Sequence, residues 1–120
     1  LYNRGLINMF IVTEAIRTAM DRYGNKPMTG EQVRWGFENL NIDQATLERS
    51  GFAGMMQPIQ LSCTDHEGGG QLLIQQWDGD SWNVVSDWIT PNNELIRGLY
   101  EQSAEQFAAE KGISLDRCTS

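Results

Sequence analysis

Apolar residues recur at helical spacing near the start of the chain and predict a long helix from about Asn3 to Tyr23. Asn3 is expected to cap its N-terminus, and Gly24 with Pro27 predicts its end. The first half of this helix has apolar side chains in nearly all directions: Leu6, Ile7, Met9, Phe10, Ile11 and Val12. A helix that is apolar all round is normally covered on several sides. We therefore expect polypeptide outside this chain to cover it, or the fragment to self-associate through it.

Three further helices are predicted, over residues 29–40, 43–49 and 93–111. The first of them begins with the capping-box sequence Thr29-Gly30-Glu31-Gln32, in which two side chains satisfy free backbone N–H groups. Asp43 is the expected cap of the short helix, which Gly51 ends. Asn92 or Asn93 is the expected cap of the last helix, with Gly112 at its end.

Between residues 56 and 91 the pattern changes to that of β-structure. Ile59 and Leu61 alternate with polar residues, as in a half-buried strand. Residues 65–70 contain three consecutive glycines and predict a loop. Residues 71–77 and 81–88 are predicted to form a hairpin around Asp78-Gly79. The chain is therefore predicted to be α/β, with three to four helices, a strand and a β-hairpin.

Composition narrows the possible partners. The formal charge of −7, without a basic cluster, makes nucleic acid an unexpected partner. No apolar run approaches the roughly 20 residues that span a bilayer. The chain shows no secretion signal, which is uninformative about its location because processed chains lose theirs.

The most reactive-looking cluster is Cys63-Thr64-Asp65-His66-Glu67, which contains the only histidine. A Cys–His dyad or a metal site needs further groups converging on it. We expect a structural loop here, with adventitious or calcium-type metal binding as the alternative. Gly68-Gly69-Gly70 is followed by a predicted strand and not by a helix, and it has no lysine, so it does not fit a phosphate loop. No enzymatic activity and no cofactor are expected.

The two cysteines leave two alternatives open. Cys63 and Cys118 are either unrelated thiols, one in a strand and one in the tail, or a single disulfide formed in an oxidising compartment.

Candidate ligand contacts are Tyr2, Asn3 and Arg4, at the start of the apolar helix. Tyr2 could stack on a ligand, and the other two could meet a carboxylate or an amide. The alternative for Tyr2 is ordinary packing. For Trp77, Trp82 and Trp88 we expect cross-strand and core packing more than ligand contact.

The order of these features resembles the C-terminal third of periplasmic solute-binding proteins of the Leu/Ile/Val-binding type. The resemblance rests on Tyr2 before the apolar helix and on several further segments. These are Thr29-Gly30-Glu31-Gln32-Val33-Arg34, Gly51-Phe52-Ala53-Gly54-Met55-Met56-Gln57-Pro58-Ile59, Asp65-His66-Glu67-Gly68 and Ile74-Gln75-Gln76-Trp77-Asp78-Gly79.

This resemblance implies that residues 1–120 are the C-terminal segment of a two-lobed type I periplasmic binding protein. Such a protein would be the receptor of an ABC uptake transporter, located in the periplasm, with a membrane permease as its partner. It would bind a small solute (an amino acid, an amide or an aromatic acid) by lobe closure. It also implies that Tyr2 lines the ligand cleft. The Cys63–Glu67 loop departs from the pattern of the amino-acid binders, so the ligand stays undefined.

Two alternatives remain at this point. One is a ligand-sensing domain of the same fold, fused to a signalling module. The other is a small interaction domain complete in 120 residues.

Overall fold

The computed structural model describes residues 2–115 and Cys118. The elements in chain order are α1 (Tyr2–Tyr23), α2 (Gly30–Glu38), β1 (Asn41–Ile42), α3 (Gln44–Ser50), β2 (Ile59–Gln60), β3 (Gln75–Trp77), β4 (Trp82–Val84) and α4 (Asn93–Lys111). The chain divides into two compact units, one ending at Gly68 and the other beginning at Gly69.

In the first unit, α1 packs closely against α2. Ala15 and Ala19 of α1 and Gly36 of α2 are buried where the two helices meet. Small side chains at these positions allow the two backbones to approach each other. The core of this unit consists of Phe10, Ala15, Leu40, Ile42, Leu47 and Met56.

Both short helices of this unit have the predicted caps. The Thr29 hydroxyl accepts from the backbone N–H of Gln32 at 3.3 Å, and the Gln32 side chain accepts from the N–H of Thr29 at 3.0 Å. Asp43 caps α3 by accepting from the N–H of Thr46 at 2.8 Å. Gly51 ends α3 with a φ of 78°, in the left-handed region that glycine tolerates. These predictions are confirmed.

The predicted cap of α1 is wrong. The helix begins at Tyr2, so Asn3 lies inside its first turn. Burial along α1 is uneven, because Phe10 is buried whereas Leu6 and Met9 are exposed.

A two-stranded antiparallel sheet completes the first unit. Asn41 pairs with Gln60, and Ile42 pairs with Ile59. The side chain of Ile42 is fully buried, so this strand anchors the link between α2 and α3 to the core. The strand around Ile59 was predicted, but β1 was not, because two residues carry no detectable period.

The second unit contains the hairpin β3–β4 and the helix α4. The hairpin pairs Trp77 with Trp82 across its turn, as predicted, but its regular strands are shorter than expected. An isolated bridge between Leu72 and Ile89 continues the pairing beyond them. The helix α4 has the predicted cap, since Asn92 accepts from the N–H of Leu95 at 3.1 Å.

Within residues 2–115, no helix combines the length and apolar character needed to cross a bilayer.

Candidate functional site

A groove of about 500 Å³ lies between α1 and α3 in the first unit, and we name it the α1–α3 groove. It is lined by Leu6, Met9, Phe10, Thr13, Glu14, Arg17, Thr46, Arg49, Ser50 and Phe52. Six of these residues belong to α1 and recur along one side of it, so they form one stripe along that helix.

Two stacked aromatic rings form the apolar part of the groove. The ring centroids of Phe10 and Phe52 are 4.2 Å apart, and the ring planes are inclined by 10°. The chain turn at Gly51 brings Phe52 back over the end of α3, where its backbone N–H donates to the carbonyl of Leu47 at 2.9 Å. The C-terminal end of α3 therefore fixes the backbone position of Phe52.

Charged groups border the other part of the groove. The Nε of Arg17 lies 3.6 Å from Oε1 of Glu14, and the Arg17 side chain is largely exposed. Arg49 lies in the last turn of α3, where a positive charge is favoured by the helix dipole. Because both arginines line the groove with a single carboxylate, its lining carries an excess of positive charge.

Asp43 shows how the start of α3 is held. Hydrogen bonds from the Thr46 hydroxyl (2.6 Å) and the Thr46 backbone N–H (2.8 Å) lower the pKa of the Asp43 carboxyl. The positive charge of Arg49 lowers this pKa further, as a smaller contribution. The cap thus orients Thr46, one of the groove residues.

The structure does not bring the predicted ligand contacts into this groove. Tyr2, Asn3 and Arg4 lie in the first turn of α1 and are exposed, Tyr2 at 79% of its surface. The groove lining begins at Leu6. The role of these three residues in ligand binding stays a prediction.

The loop after β2 is held by its own hydrogen bonds. Ser62 and Asp65 exchange backbone hydrogen bonds of 2.9 and 3.2 Å. Oδ1 of Asp65 accepts from the N–H groups of Glu67 (3.0 Å) and Gly68 (3.2 Å). Contacts of this kind are what a structural loop requires.

His66 faces the end of α2. Its Nε2 lies 3.6 Å from Oε1 of Glu38, which also accepts from Nε of Arg34 at 2.8 Å. Among the residues that the structure describes, no three His, Cys, Asp or Glu side chains are grouped to hold a metal ion.

Both Cys63 and Cys118 are disulfide-bonded in the structure. Cys63 lies in a turn and not in the predicted strand, because the regular part of β2 ends at Gln60.

Sequence reasoning missed the α1–α3 groove. The spacing of Leu6, Phe10 and Arg17 would have identified the stripe on α1. The residues opposite it, Arg49 and Phe52, carry no signal that pairs them with α1, because their position depends on tertiary packing.

Comparison with known proteins gives one informative match. No protein-family model and no curated protein matches the chain. A crystal structure described as that of an ABC transporter permease from the Pseudomonas fluorescens group is 47% identical, with a TM-score of 0.91. The match covers 98% of this chain and 28% of that chain. The chain thus spans little more than a quarter of that protein's length.

This match corrects the resemblance drawn from the sequence. The similar protein is described as a permease, so the assignment to the periplasmic solute-binding proteins of the Leu/Ile/Val-binding type is wrong. The assigned function, a solute-binding receptor that closes on its ligand, is wrong with it, whereas the connection with ABC transporters is supported.

The physical reason for the error lies in the positions on which the resemblance rested. Several of these positions, such as Gly51, Pro58 and Asp65, carry residue types that are common at helix ends and in turns. Such positions recur in many α/β chains of different function. The two-lobed architecture, the absence of enzymatic activity and the periplasmic location are not tested by the match and stay predictions.

Proposed function

We propose that the chain is a folded segment of an ABC transporter permease component. The observation that carries this proposal is the similarity of 47% over 98% of the chain to the protein described by that name. Fold alone would not support a function, since one fold serves many. Identity at this level extends the similarity to the side chains.

Exposed apolar surface supports the view that the segment belongs to a larger assembly. In the first unit, Tyr2 and Met9 are exposed at 79% and 64% of their surfaces. In the second unit, α4 exposes Leu95, Leu99 and Phe107. Single exposed apolar side chains are ordinary, but several on one helix mark a contact surface. We propose that these helices pack against other parts of the transporter.

The disulfide-bonded cysteines support a location on the periplasmic side. Disulfides form and persist in oxidising compartments and are rare where cellular thiols are kept reduced. With Cys63 and Cys118 both disulfide-bonded, the segment is suited to the periplasm. The proposed partners are therefore the other parts of the transporter to which the segment belongs. The ATPase of that transporter would lie on the other side of the membrane.

Fractionation of the natural full-length protein tests this function. The protein is tagged at its C-terminus, and cells are separated into osmotic-shock fluid and membranes. We expect it in the membranes, from which mild detergent extracts it together with an ABC-type ATPase identified by mass spectrometry. A tagged periplasmic protein of similar size is the control. Release into the shock fluid without any ATPase would show that the protein is not a permease component.

A further inference from the structure

We propose that the α1–α3 groove binds an acidic amphipathic helix, which belongs to the same longer polypeptide and lies outside residues 1–120. This inference rests on the proposed function, because it takes the chain to be one segment of a protein as long as its structural match. That match leaves most of the longer chain outside the aligned part.

The shape of the groove suits a helix. Its stripe on α1 extends from Leu6 to Arg17, which at 1.5 Å per residue corresponds to roughly 16 Å, or three helical turns. The opposite wall is the C-terminal half of a second helix, α3, followed by Phe52. An amphipathic helix can bind in an open groove between two helices and bury its apolar face there.

The arrangement of side chains defines the chemistry of the occupant. Along α1 the lining changes from Leu6 and Met9 at one end to Arg17 at the other. Met9 is 64% exposed, so a large apolar surface is available for burial. An occupant that matches this order presents apolar side chains at one end and carboxylates at the other.

Charge favours an acidic segment of this kind. The chain as a whole has a formal charge of −7, yet the groove lining contains two arginines and one carboxylate. Glu14 is mostly buried and lies beside Arg17. Among the residues that the structure describes, Arg49 makes no ion pair within 4.0 Å. Its positive charge acts on the Asp43 carboxylate at longer range. Arg49 is therefore the side chain to which an incoming carboxylate binds.

Thiol accessibility in the full-length protein tests whether the groove is covered. Met9→Cys places a thiol in the groove, and Glu31→Cys places one on the exposed surface of α2 as the matched control. Cys63 and Cys118 are disulfide-bonded, and any cysteine outside residues 1–120 is replaced by serine, so the introduced thiol is the reactive one. We expect a polar maleimide to modify Met9→Cys at least about tenfold more slowly than Glu31→Cys, because the reaction requires local opening.

A second substitution tests the role of charge. Arg49→Glu in the Met9→Cys background should bring the reaction back toward the control rate, whereas Arg49→Lys should leave it slow. Equal melting temperatures of the two Arg49 variants, together with unchanged labelling of Glu31→Cys, show that the first unit remains folded. If Arg49→Glu leaves Met9→Cys as protected as before, the acidic character of the occupant is refuted.

A photo-crosslinker placed at position 9 identifies the segment that binds in the groove. We expect a cross-link within one polypeptide, mapped by mass spectrometry to a helical segment that carries Asp or Glu. A cross-link to a second copy or to another subunit would overturn the proposal, and so would rapid labelling of Met9→Cys. Association with an ATPase is measured separately, so a failure of this inference is distinguishable from a failure of the proposed function.

Discussion

Gly36 of α2 lies directly against the backbone carbonyl of Ala15 on α1. A Cβ atom at position 36 would overlap that carbonyl oxygen and would come within 2.9 Å of the Cβ of Ala19. The backbones of the two helices approach this closely only because position 36 has no side chain. The first unit is therefore organised around a contact that one added methyl group would block.

We expect Gly36→Ala to lower the free energy of unfolding of the first unit by about 1–3 kcal/mol, the usual cost of overpacking a well-filled core. The higher helix propensity of alanine opposes this loss by less than about 1 kcal/mol. Gly30→Ala, in the first turn of the same helix, is the control, because no atom lies within 4 Å of its added Cβ. Urea unfolding followed by circular dichroism measures both. Equal stabilities of the two variants would show that α1 and α2 do not make this close contact.

Leu47 provides a test of the core. Its side chain is fully buried, and its backbone carbonyl accepts from both Phe52 and Ala53. Leu47→Ala should destabilise the chain by about 2–5 kcal/mol, through lost burial and the cavity left behind. Leu95→Ala, at a position 61% exposed on α4, should change stability by no more than about 0.5 kcal/mol. Thermal unfolding of the 120-residue chain decides between these expectations, and a small effect of Leu47→Ala would contradict the core assignment.

The parts of the fold that sequence could predict are those controlled by local chemistry. Thr29 and Asp43 were identifiable as caps because their side chains bind backbone groups three residues away. Gly51 was identifiable as a helix end because a left-handed residue there needs no Cβ. Each of these signals operates within one helical turn, so no knowledge of tertiary structure was needed.

The parts that sequence could not predict depend on distant contacts. Strand β1 exists because Ile42 pairs with Ile59 and is buried, and neither fact is encoded in a two-residue segment. The α1–α3 groove requires Phe52 to meet Phe10, which is far from it along the chain. The family resemblance failed for a related reason, since turn residues report local geometry and not the role of the whole protein.

Asp78 makes the hairpin sensitive to acid. The backbone N–H groups of Ser81 and Asp80 donate to its carboxylate at 2.8 Å each, and Nδ2 of Asn83 donates at 2.6 Å. These hydrogen bonds, that of Ser81 first, lower the pKa of Asp78 from 3.8 to about 2. Since the folded-state pKa is depressed, the stabilisation is present above pH 3.8 and is lost as the pH falls toward about 2.

Carboxyl-carbon NMR titration measures this directly. The Asp78 resonance should titrate with a pKa of about 2, and Asn83→Ala should raise that pKa by removing one donor. Gln76→Ala, on the neighbouring strand without a hydrogen bond to Asp78 among those of the described residues, is the matched control and should leave it unchanged. A pKa of Asp78 close to 3.8 in the unmodified protein would mean that the turn around Gly79 lacks these hydrogen bonds.

The cysteines supply the last test. In the structure both Cys63 and Cys118 are disulfide-bonded, and we expect that neither reacts with iodoacetamide in the denatured protein until a reductant is added. Because the sequence contains two cysteines, Cys118→Ser should expose one reactive thiol at Cys63 in every molecule. A disulfide typically stabilises a protein by about 2–4 kcal/mol, so reduction should lower the melting temperature. Cys63→Ser/Cys118→Ser is the control, since its melting temperature should not respond to reductant. Two thiols that react without reductant in protein purified under non-oxidising, thiol-trapping conditions would contradict the bond and remove the support that it gives to an oxidising location.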